Sequence, residues 1–89
     1  MTWIDELAAR LAQEPLTGAE TETLLATART VAHRVERRVT PLSAFLLGCA
    51  VGQWLQDGTA TRAELVRETV AQLEAMLPPG PLERPDGVG

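Results

Sequence analysis

The stretch Thr40–Gln56, TPLSAFLLGCAVGQWLQ, decides the architecture of this chain. It opens on Thr-Pro, a helix-start signal, because proline at the first helical position gives up an N–H that has no intrahelical partner anyway. It then runs almost without a polar break: before Gln53 only Ser43, Gly48 and Gly52 interrupt the apolar residues. A surface helix carries a single apolar stripe. A helix apolar on every side is expected to be buried all round, by the rest of the chain or by a second copy of it.

Working outward, three further helices carry start and stop signals. The first spans about residues 2–13, with Thr2 as cap, Asp5 three residues on, and Ile4, Leu7, Ala8 and Leu11 on one face. Glu14-Pro15 ends it, since the residue before proline avoids the helical region. The second spans about 18–38 behind a Thr17/Glu20 capping box, with Leu24, Leu25, Ala28, Val31, Ala32, Val35 and Val39 as its apolar stripe. The third, 41–56, follows after about two residues, with Thr40 as cap. Asp57-Gly58 closes it, with Gly58 expected in the left-handed conformation. The fourth spans about 62–77 behind a Thr61/Glu64 capping box, with Leu65, Val66, Val70, Leu73, Met76 and Leu77 as its stripe. The reading is an all-α four-helix bundle over residues 1–77, with the third helix at its centre and a disordered Pro/Gly-rich tail over 78–89.

Eighty-nine residues make one domain, which buries only about 60–65% of its unfolded surface. Cys49 is the only cysteine, so no internal disulfide can add stability, and one Cys with one His is not a zinc ligand set. Association is the remaining common route to extra burial, and a homodimer is expected. Twelve acidic and eight basic residues give a net charge of −4, which argues against a general nucleic-acid partner. The apolar run is too short for a membrane span, and no signal-peptide pattern is present, so a cytoplasmic protein is expected.

Two clusters carry the functional expectations. Ala44, Gly48 and Gly52 recur every fourth residue along the third helix. Glycine costs about 1 kcal/mol in a helix interior, so the pair calls for a reason, and close approach of another backbone is the common one. With Trp54, these residues are the expected helix-packing or dimer contact; an exposed Trp would also point to a partner. On the second helix, Arg29, His33 and Arg37 are spaced by four, with Arg34 beside them. These four residues are the expected site for a phosphate-bearing ligand or an acidic partner. Cations near a helix C-terminus also offset its dipole, which explains the same residues without a ligand. No nucleophile–base pair is set up around His33 or Cys49. The expectation is therefore a non-enzymatic module with no cofactor.

The segment VAHRVER (31–37), then TPLSAFLLG (40–48) and Gly52, resembles a small bacterial all-α family of unknown function with a LARDVAHxVERPxAPLTxFLLGxAxG type of pattern. Where that pattern carries proline after VER, this chain has Arg38. Members of the family occur as short free proteins. They also occur as C-terminal extensions of nucleotidyltransferase-like proteins of molybdenum-cofactor guanylylation. The resemblance implies an accessory role in molybdopterin-nucleotide biosynthesis, with a nucleotidyltransferase or molybdoenzyme-maturation protein as partner. It transfers no functional residues: His33, Arg34, Glu36 and Arg37 enter only as positions of the motif.

Overall fold

The computed structural model describes residues 2–79. The expected tail lies outside the described residues beyond Pro79. The chain folds as four α-helices, α1 (Trp3–Arg10), α2 (Gly18–Arg34), α3 (Thr40–Asp57) and α4 (Arg62–Met76), with no strand among the described residues. Capping boxes form at Thr17 and Thr61 as the sequence implies, and the cap at Thr2 is a full box as well. Thr2, Thr17 and Thr61 each accept from the backbone N–H three residues on, and Asp5, Glu20 and Glu64 reach back to the cap N–H. Leu77 is extended, as a residue before Pro78 should be, and α4 stops there.

The boundaries differ where local geometry outran the signals. Helix α1 ends at Arg10, short of the expected Gln13, because Ala12 takes a left-handed φ of 58°. The Ala12 N–H then bonds to Ala9 O and the Gln13 N–H to Ala8 O, the Schellman pattern that satisfies the last carbonyls. Helix α2 ends at Arg34 rather than Arg38. A 3₁₀ turn over Arg37–Val39 leads directly into α3, so the connection is longer than two residues. Thr40 is consequently the first helical residue and caps nothing, and its buried Oγ1 has no hydrogen-bond partner. At the other end of α3, Gly58 is extended rather than left-handed (φ −137°, ψ −163°).

Helix α3 is central: it packs chiefly on α4, and both pack on α2. The core is a small cluster of Leu47 and Val51 from α3 with Leu65, Val66 and Val70 from α4, extended by Leu24, Ala60 and Leu73. Val31 and Thr27 are buried on α2, whereas Leu25 and Val35, expected in its stripe, are exposed. Among the described residues no side chain is fully buried.

The expectation that α3 is buried all round fails within one chain. Only Leu47 and Val51 are buried, while Leu42, Phe45 and Leu46 are 62–70% exposed, and Cys49 is exposed as well. The reason is arithmetic of faces: α2 and α4 cover one side of a cylinder, and α1 does not close over the rest. Helix α1 has no buried residue.

Candidate functional site

Three features flank the core, and the first is a groove. Helix α1 turns Ile4, Leu7, Ala8 and Leu11 toward α2 and α3 without meeting them tightly, leaving a groove of about 400 Å³. Its walls include Leu24, Ala28 and Val31 of α2, Leu47 and Val51 of α3, and Val66 of α4. Ala44, Gly48 and Gly52 line it together. A Cβ built on either glycine would meet nothing within 4 Å, so these glycines do not serve close packing inside the chain. Trp54, grouped with them in the sequence reading, does not line the groove and is 40% exposed.

The second feature is a polar clamp at one end of the groove. Arg62, the first residue of α4, directs its guanidinium back to the start of α2. Its Nε donates to Glu20 Oε2 at 3.0 Å and its Nη2 to Glu20 Oε1 at 2.7 Å. The same group donates to the carbonyls of Glu14 and Pro15, both at 2.8 Å, and so pins the α1–α2 loop. Glu20 is only 4% exposed and accepts from the Thr17 N–H as well. The Arg62 hydrogen bonds lower the Glu20 carboxyl from 4.5 to about 2, against burial, which pushes it up; the Thr17 N–H adds to the lowering. Conversely, the bonds to Glu20 raise the Arg62 pKa. Neither residue stood out in the sequence beyond the capping box, since nothing local links positions so far apart. In the sequence Glu20 is indistinguishable from an ordinary capping glutamate, and only the structure shows it to be buried.

The third feature is the outer face of α3. Leu42, Phe45, Leu46 and Cys49 fall at i, i+3, i+4 and i+7, so they share one side of the helix. All four are exposed. Neither Asp, Glu, Lys nor Arg occurs from Thr40 to Gln56. Together the four residues form one contiguous exposed apolar face.

The basic cluster does not assemble as the spacing suggested. Arg29, His33 and Arg34 lie on α2, but the helix ends at Arg34, and Arg37 sits in the 3₁₀ turn, off the helical row. Arg29, His33 and Arg37 are exposed, Arg34 is half-buried, and none of the four lines the groove. Arg38 lies 3.9 Å from Glu36 in a solvent-exposed pair, which contributes little. Trp3, at 73% exposed, is not packed at a bundle end. Among the described residues no set of three His, Cys, Asp or Glu could hold a metal ion. Nor is any of their helices long and apolar enough to cross a membrane.

Comparison with known proteins places these features in a family rather than an activity. Residues 1–80 match the family described as a domain of unknown function, DUF6457. No curated protein and no solved structure matches the chain. The match runs from α1 through α4 and takes in the groove, the clamp and the outer face of α3, so this chain belongs to the DUF6457 family of unknown function.

Proposed function

We propose that this protein is a non-enzymatic interaction module that works as a homodimer and docks a partner enzyme. The observation that carries this reading is the outer face of α3: three large apolar side chains, 62–70% exposed, on the helix that also supplies the core. Burying a leucine or phenylalanine that would otherwise face water is worth about 1.5–3 kcal/mol. Such a gain is large for a chain with so small a core, and association is the usual way for a domain of this size to obtain it. Following the resemblance of its VAHRVER–TPLSAFLLG segment, we place the module in molybdopterin-nucleotide biosynthesis, beside a nucleotidyltransferase or a molybdoenzyme-maturation protein, in the cytoplasm.

The phosphate-binding alternative has less support. Arg37 is off the α2 row, and the one arginine at the groove, Arg62, already makes four hydrogen bonds.

Sedimentation velocity tests the proposal. The protein should sediment as a dimer at micromolar concentration. Leu46→Glu should be monomeric with an unchanged far-ultraviolet spectrum, because Leu46 lies outside the core. A wild-type chain that stays monomeric at high micromolar concentration would overturn the reading.

A further inference from the structure

We infer that the outer face of α3 is covered by the α3 of a second copy, antiparallel, about a two-fold axis passing between Leu46 and Cys49. This deepens the dimer reading above and rests on it.

Charge selects the occupant. A chain of net charge −4 repels its own copy, so a self-contact needs a face free of like charges. All twelve acidic and all eight basic residues lie outside Thr40–Gln56, which makes α3 the one long helix able to meet itself at no Coulombic cost. Interfaces between identical subunits are also more apolar than those with exchanging partners, and this face is apolar from Leu42 to Cys49.

Direction follows from the ends of the same helix. The exposed Arg37 and Arg38 stand just before α3, and the exposed Asp57 is its last residue. In a parallel pair these would meet like with like, arginines on arginines and aspartate on aspartate. In an antiparallel pair with Leu46 facing Cys49 of the second copy, Leu42 faces Gln53 and Arg38 falls opposite Asp57. Two such ion pairs then flank the apolar centre, one at each end, and the two helix dipoles oppose. A two-fold contact is self-complementary, as this pattern is.

Area is sufficient. Leu42, Phe45 and Leu46 expose roughly 400 Å² per chain, on the scale of 150–250 Å² for a large side chain. A symmetric pair therefore begins with roughly 800 Å² of apolar burial before Pro41, Cys49 and Gln53 join. That is the core of a standard interface of about 1,200–2,000 Å².

Cross-linking reads out the direction. In a Cys49→Ala background, Leu42→Cys chains mixed with Gln53→Cys chains and treated with a short bis-maleimide should give a mixed cross-linked dimer. Leu42→Cys chains alone should give little. A charge swap checks the register. Arg38→Asp or Asp57→Arg alone should weaken dimerisation roughly fivefold, and the double swap should restore it. If the protein is a dimer but Leu42→Cys links to itself, or the double swap fails to restore dimerisation, this arrangement is overturned while the dimer reading stands. A monomer by sedimentation overturns both.

Discussion

The guanidinium of Arg62 lies 2.7 Å from the Glu20 carboxylate, across forty-two positions of sequence, in an ion pair shielded from solvent on both sides. It joins the first residue of α4 to the first turn of α2, and its remaining N–H groups hold the loop that leads out of α1. Helix α1 itself buries no residue, so this clamp adds a polar anchor next to a helix whose apolar packing is sparse.

Arg62→Ala should therefore cost more than a typical surface change. It strands a buried carboxylate and frees the Glu14 and Pro15 carbonyls. A loss of about 3 kcal/mol is expected, read as a lower urea midpoint at unchanged slope. Replacing Glu20 and Arg62 together with Gln and Leu should cost less than Arg62→Ala alone, since no uncompensated charge remains. A double variant as unstable as the single one would show that the pair does not act as a unit.

The same carboxylate sets the acid limb of the stability curve. Its folded pKa, about 2, lies below its ordinary value of 4.5, so the folded state holds fewer protons than the unfolded one between those values. The contribution is complete above about pH 4.5 and is lost as pH falls through 4.5 to 2, amounting to about 3 kcal/mol over that window. Glu20→Gln should flatten the curve there and leave its shape above pH 5 unaltered. Denaturant melts at closely spaced pH values measure it, and parallel acid limbs for both proteins would refute it.

Ala12 holds a left-handed φ of 58°, where a Cβ crowds the following carbonyl. Ala12→Gly should relieve that crowding at the Schellman position and stabilise the protein by about 0.5–1 kcal/mol. Thermal melts would register this as a rise of a few degrees; a fall would mean that unfolded-state entropy outweighs the strain.

Gly48 gives the opposite lesson. A Cβ there meets nothing within 4 Å, and Gly48 lies on the groove side of α3 rather than among Leu42, Phe45, Leu46 and Cys49. Gly48→Ala should raise stability by about 1 kcal/mol through helix propensity, with dimerisation unaffected. A destabilised variant would reveal a second chain or a ligand lying against the groove floor.

Much of the fold was written locally. The capping boxes at Thr17 and Thr61 and the proline stop after α4 depend on residues within a turn or two of each other and appear where the sequence puts them; of the α4 stripe, Leu65, Val66 and Val70 are buried, while Met76 at its end is exposed. Helix ends set by backbone geometry were less legible: Ala12 carries no glycine to announce its conformation, and the 3₁₀ turn at Arg37–Val39 broke a basic row that spacing alone had joined. Composition identified Thr40–Gln56 as a helix too apolar for an ordinary surface, because hydropathy is a property of residues wherever they sit. Which side of it meets the core was settled only by tertiary structure. Leu47 and Val51 are buried and Phe45 is not because α2 and α4 approach from one side, and that approach is fixed by contacts between residues distant in sequence. Arg62 and Glu20 are the plainest case: each reads locally as an ordinary helix-start residue, and only the folding of α4 back onto α2 makes them a clamp.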